Sequence, residues 1–97
     1  FLDYISTRND IKVLGKKRIS NRNRAPTISL ITKNKTSKEF SNHLISKKIA
    51  TRNDNFYAWR CLESLGIETN DGVVRISMLH YNTKKEVLNL INAIESF

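Results

Sequence analysis

One cysteine, one proline and three glycines are all that 97 residues carry of these types. The lone Cys61 can close no intramolecular disulfide, and with only His43 and His80 beside it there is no ligand set for zinc, so no metal is expected. A reducing, cytoplasmic compartment is the default for such a chain. No apolar run approaches the ~20 residues that cross a bilayer. The opening residues, Phe1-Leu2-Asp3-Tyr4, lack the basic and apolar regions of a secretory leader, so no membrane association is expected. Internal repeats and low-complexity segments are also missing. With 39% hydrophobic and 8% aromatic residues, the composition is that of a single soluble globular domain with a modest core.

Acids are scarce as well: 9 stand against 17 lysines and arginines, for a net charge of +8. The excess is concentrated. Arg8, Lys12, Lys16, Lys17, Arg18, Arg22 and Arg24 face a single acid, Asp10, in residues 8–24. Such a segment suits either a nucleic-acid or membrane-surface patch, or a solvated basic loop balanced by charge elsewhere.

Patterning divides the chain into short elements. Ile11-Lys12-Val13-Leu14 reads as a strand closed by Gly15, and residues 16–24 as a loop. Pro26 opens the β-branched, partly alternating run Thr27 to Thr32, a second strand. Thr36 and Glu39 form a capping box for a helix over 37–48, with Phe40 and Leu44 on one face and Lys47-Lys48 in its last turn. Ile49-Ala50-Thr51 predicts a brief strand. Asn53-Asp54-Asn55 offers N-caps for a helix over 56–65 that Gly66 ends, which makes Phe56 and Trp59 core or interdomain packing residues. The longest strand is predicted from Gly72 to Tyr81. A second capping box, Thr83 with Glu86, starts a helix whose stripe is Val87, Leu90, Ile91, Ile94 and Phe97. The resulting fold class is α+β, a small mixed or antiparallel sheet with helices on one face, in the order ββαβαβα. Residues 1–26 form a connecting segment with the first strand and the basic loop, and 27–97 the main body.

Within the apolar strand Val73-Val74-Arg75-Ile76-Ser77-Met78-Leu79-His80, Arg75 is out of place, since an unpaired guanidinium is costly to bury. Alternation puts it on one face with Val73, Ser77, Leu79 and Tyr81, and puts His80 on the other as a packed or satisfied histidine rather than a catalytic one. Two explanations fit Arg75. Its face is open to solvent or holds a structural acid, or its planar fork awaits a ligand carboxylate, which it can grip with two parallel hydrogen bonds.

The run Val74-Arg75-Ile76-Ser77-Met78-Leu79-His80-Tyr81-Asn82-Thr83-Lys84-Lys85-Glu86-Val87 resembles a motif near the C-terminus of pyridoxal-phosphate enzymes of the class V aminotransferase family: an arginine in a hydrophobic strand, then Tyr-Asn-Thr, then Glu-Val or Glu-Ile opening the last helix. Ala25 to Leu30 is similar to the family's small-domain strand, Lys48 to Arg52 to its arginine-ended strand, and Asn53 to Ala58 to a loop of its cysteine desulfurase-like subgroup. The resemblance implies the C-terminal small domain of a fold-type I enzyme, with the large domain not included in these residues. It implies that Arg75 binds the carboxylate of an amino-acid substrate, that Arg52, whose other reading is an ordinary surface arginine at a strand end, lies at the mouth of the same site, and that Tyr57 faces the substrate. Asn82 is expected to cap the last helix rather than to touch substrate.

Pyridoxal phosphate, expected in the full-length protein, requires a Schiff-base lysine, a phosphate cradle and an acid opposite the pyridine nitrogen. In the family these belong to the large domain. The lysines here fall in loops or on helix surfaces and there is no glycine-rich phosphate loop, so the fragment is expected to hold neither cofactor nor catalytic residue. Its expected partners are the amino-acid substrate, the large domain of its own chain and a second copy in a homodimer. In the resemblance, Tyr57 stands where desulfurases carry a nucleophilic cysteine, and Cys61 is expected as a buried thiol within a helix. The reaction is thereby left open among desulfurase-like lyase, epimerase and transferase chemistry. The alternative is a small basic nucleic-acid-binding or interaction module. The strand over 72–80 argues against nucleic acid, because it lacks the exposed aromatics that stack bases.

Overall fold

In the computed structural model of the chain, residues 1–18 and 24–97 are described; Arg22 and the middle of the basic loop lie outside the described residues. Eight elements follow in order: α1 (Leu2–Thr7), β1 (Ile11–Leu14), β2 (Thr27–Thr32), α2 (Ser37–Ser46), β3 (Arg52–Asp54), α3 (Trp59–Ser64), β4 (Val73–Ser77) and α4 (Lys84–Glu95). The strands form one sheet in the order β1-β2-β4-β3, and every pairing is antiparallel. The α+β class holds, with one helix added at the front of the expected order.

Alternation along the strands decides which face is covered. Ile11 and Val13 of β1, Ile28 and Leu30 of β2, and Val74 and Ile76 of β4 join one buried cluster with Phe40 and Leu44 of α2 and with Leu90, Ala93 and Ile94 of α4. Leu30, Phe40, Leu44, Val74 and Ile94 are completely buried. Each such side chain contributes roughly 1.5–3 kcal/mol of transfer free energy. Leu62 of α3 and Val73 are buried outside this cluster.

Both capping boxes form. Thr36 Oγ1 accepts from the Glu39 amide while the Glu39 carboxylate accepts from the Thr36 amide at 2.7 Å, and Thr83 and Glu86 repeat the arrangement. A further cap was not legible in the sequence. Asp71, 34 residues away, accepts from the Ser37 and Lys38 amides at 2.6 and 3.2 Å and ties the start of α2 to the chain entering β4.

Several expectations are corrected. The sequence pattern shows no helix before Ile11, because α1 has no side-chain cap. It is held instead by burial of Leu2 and Ile5 and by Arg8, whose guanidinium grips Asp10 through two bonds of 2.6 and 2.8 Å and donates to Tyr4 Oη. The strand expected over 49–51 starts at Arg52. The reason is that Lys48, at φ 62, ends α2 in a left-handed turn in which the Lys48 and Ile49 amides donate to Ile45 and Leu44 carbonyls. The helix expected from residue 56 starts at Trp59, because Phe56 and Tyr57 are also left-handed, at φ 52 and 60. Finally, β4 stops at Ser77. The chain then turns, and Asn82 closes that turn by accepting from the Leu79 amide at 2.7 Å, leaving Thr83 as the helix cap. His80 is exposed in the turn, edge-on to Tyr81, and is not packed.

The Arg8 grip holds the Asp10 carboxyl down at about 2 despite the opposing effect of burial. A carboxyl depressed on folding contributes stability above its unfolded value of 3.8, and this is lost as pH falls toward about 2. With Asp10 45% exposed, solvent screening keeps the contribution small. The Tm difference between wild type and Arg8→Met is expected to shrink between about pH 5 and pH 2. A difference constant over that range would mean that this ion pair does not hold α1.

Candidate functional site

The face of the sheet opposite the core carries the residues singled out by the sequence. Antiparallel register sets Leu14 against Ser29, Ser29 against Arg75, and Arg75 against Arg52, a row that runs across all four strands. Two arginines are thus direct cross-strand neighbours. Directly opposed side chains have Cβ atoms about 5 Å apart, and like charges there repel.

Arg75 is half-buried. Among the described residues it has no hydrogen bond or ion pair; its guanidinium carbon lies 4.0 Å from the centroid of the Phe56 ring. That resolves half of the choice left by the sequence: no structural acid of the described residues neutralises Arg75. Arg52 is more exposed, with 5.6 Å from its guanidinium carbon to the same ring and a 2.9 Å ion pair to Asp54 Oδ2. Phe56 is therefore a platform shared by both cations rather than a core residue. An aromatic face attracts a guanidinium while leaving its N–H edge free to donate.

The loop between β3 and α3 holds this platform. The Asn55 side chain accepts from the Tyr57 amide at 3.0 Å and the Asn55 carbonyl accepts from the Ala58 amide, a local turn that carries Phe56 and Tyr57 through their left-handed conformations. Non-glycine residues rarely adopt this conformation, and such strained residues cluster at active sites and ligand clamps. The Asn53 side chain donates to the Asp71 carbonyl at 2.8 Å and anchors the loop from the other side. Tyr57 follows Phe56 directly and is 93% exposed.

The structure thus brings Arg52 and Arg75 together and sets Tyr57 beside their shared platform. Phe56, Asp54 and Asp71 join the site without having been singled out for it. The signal available was the pairing of residues 52–54 with 73–75, which a strand placed three residues too early conceals. One further expectation is corrected: Cys61 is exposed on α3 and not buried. Trp59 is 45% exposed, which removes the core alternative for it and leaves interdomain packing.

Two surface crevices lie elsewhere. One of about 310 Å³ is bounded by Ile5, Arg8, Lys12 and Lys33, and an apolar groove of about 450 Å³ by Phe1, Leu79, Leu88 and Ile91. Among the described residues there is no cluster of three metal-ligating side chains, and no helix is long and apolar enough to cross a membrane.

No protein-family model matches the chain. Over 95 residues, 97% of its length, it is 30% identical to the aminotransferase-like protein FGM3 of Gibberella zeae, and it spans about a quarter (24%) of that curated relative. Its fold is that of a domain-sized part of two solved structures. The cysteine desulfurase CsdA of Escherichia coli matches 97% of the chain with a TM-score of 0.78 and 23% identity, the chain covering 21% of it. A NifS-like protein of Rickettsia africae matches 97% with a TM-score of 0.71 and 16% identity, the chain covering 25% of it. The expected resemblance to a domain-sized part of an aminotransferase-like protein stands on the first match, and the expected small-domain fold on the two structures.

Proposed function

We propose that this chain is the substrate-side, C-terminal domain of a larger pyridoxal-phosphate-dependent enzyme acting on amino acids, and that Arg75 binds the substrate carboxylate. The observation that carries the reading is a half-buried arginine on the sheet face opposite the core, backed by Phe56 and without an anionic partner among the described residues. A carboxylate meets the guanidinium edge with two parallel, charge-assisted hydrogen bonds. Arg52 adds positive potential from the adjacent strand, and Tyr57 lies at the rim.

The residues of this chain do not themselves fit the cofactor. Every lysine is exposed, so none has the enclosed setting in which an amine forms a stable Schiff base. The cofactor and its lysine belong, on this reading, to the remainder of the protein, whose relatives are about four times as long. The homodimer and the cytoplasmic setting expected from the sequence go with the same proposal.

In the full-length protein, Arg75→Ala is expected to weaken amino-acid binding by roughly 2–3 kcal/mol, the lower half of the usual range for truncating one partner of a charged pair, because the guanidinium is only half-buried. Arg75→Lys is expected to recover only part of the loss, since an ammonium lacks the fork. Calorimetric titration with an amino acid checks both. Unchanged affinity in a folded Arg75→Ala protein would return Arg75 to a structural role.

A further inference from the structure

Three charged groups lie together on the sheet face opposite the core, and they are not equivalent. Arg75 is free among the described residues. Its cross-strand neighbour Arg52 is engaged by Asp54, two residues along β3 and on the same face, at 2.9 Å. Asp54 is the more enclosed member of that pair, 33% exposed against 66% for Arg52. Its second oxygen accepts from the Asn55 amide at 2.8 Å, which fixes the carboxylate rather than leaving it to follow the arginine. The Asn55 amide and then the Arg52 guanidinium hold this carboxyl below its usual range against the effect of burial, so it is ionised at neutral pH.

We propose that Asp54 sets the substrate class of this site by occupying Arg52, so that Arg75 alone receives a carboxylate and the site selects amino acids with uncharged side chains over those with a second carboxylate. The inference rests on the carboxylate reading of Arg75. Two guanidinium groups and one carboxylate leave a single uncompensated positive charge. An amino acid with a neutral side chain supplies one carboxylate to match it. An acidic amino acid would bring its second carboxylate to Arg52 and meet Asp54 already bound there. Displacing Asp54 would strip Arg52 of its partner and set two carboxylates side by side, a repulsive element of the kind that discriminates between ligands. Phe56 reinforces the asymmetry, because its ring lies 4.0 Å from Arg75 but 5.6 Å from Arg52.

Calorimetric titration of the full-length protein with L-alanine and L-aspartate tests this. The wild type is expected to favour L-alanine by tenfold or more, and Asp54→Asn to lower the Kd ratio of L-aspartate to L-alanine by about tenfold, the size of one modest charge contact. Asparagine keeps an oxygen for the Asn55 amide, and a thermal melt verifies the fold. Adding Arg52→Gln to Asp54→Asn is expected to restore the wild-type ratio, because the second cation is then gone. A wild type that binds both probes equally overturns the proposal without any variant. A ratio unmoved by Asp54→Asn, in a protein that loses affinity for both probes on Arg75→Ala, overturns the selectivity and leaves the carboxylate reading intact. Affinities unchanged in Arg75→Ala overturn that reading and the selectivity with it.

Discussion

Gly72→Val is expected to destabilise the domain by about 4–5 kcal/mol, the upper end of what single substitutions do. Gly72 lies at φ +67, and a Cβ built there would be 2.3 Å from the Asp54 carbonyl oxygen, 2.4 Å from its carbon and 2.7 Å from the Asn55 nitrogen. All three are backbone atoms, so no side chain can swing aside. A β-branched residue adds strain in the left-handed region. Relief requires β3 to move off β4, where Asp54 pairs with Val73 and Arg52 with Arg75. Asp71 would be disturbed at the same time, and with it the cap on α2. Gly66→Ala separates the two causes. Gly66 has φ +69 but nothing within 4 Å of its Cβ position, so only the conformational cost of about 1–2 kcal/mol remains. Urea denaturation of both variants measures the difference. Equal losses would mean that the close approach of Gly72 to β3 is not what sets its identity.

The same loop shows where sequence reasoning reached and where it stopped. Elements with local causes were legible: two capping boxes, the alternation of β2, the stripe on α4 and Gly66 as the stop of α3. Each is written within a few residues, so pattern alone finds it. What failed depended on contacts between distant residues or on rare backbone states. Lys48, Phe56 and Tyr57 are left-handed without being glycine, and the three together displace β3 and the start of α3 from their expected places. Helix α1 has no cap of its own and depends on Arg8 and on burial against the core. Arg75 was conspicuous because a charge interrupts an apolar strand. Its platform was hidden, because Phe56 reads as a helical packing residue until its turn is known.

Full-length protein offered cysteine is expected to form no catalytic persulfide on this domain. By resemblance, the position at which desulfurases carry their sulfur acceptor is Tyr57, and the structure puts that residue on the loop beside Phe56, 93% exposed. A sulfur acceptor must be a thiolate that attacks sulfur and keeps the new S–S bond; a phenol forms no such bond. Cys61 is the chain's other possible acceptor. Its exposure removes burial as a reason to dismiss it, and the remaining argument is position. Cys61 lies within α3, where its carbonyl accepts from the Leu65 amide and the Ser64 hydroxyl, so its backbone is fixed by the helix. Transfer needs reacting atoms brought to about 3–3.5 Å, which a loop can arrange and a helical residue one turn further along cannot without unwinding. Mass spectrometry after incubation with cysteine is the measurement. Tyr57→Cys is expected to gain a persulfide at that position, which would show that the loop reaches the substrate and lacks only the thiol. A persulfide on Cys61 in the wild type, lost together with turnover in Cys61→Ser, would overturn the argument and make α3 the carrier of a displaced nucleophile.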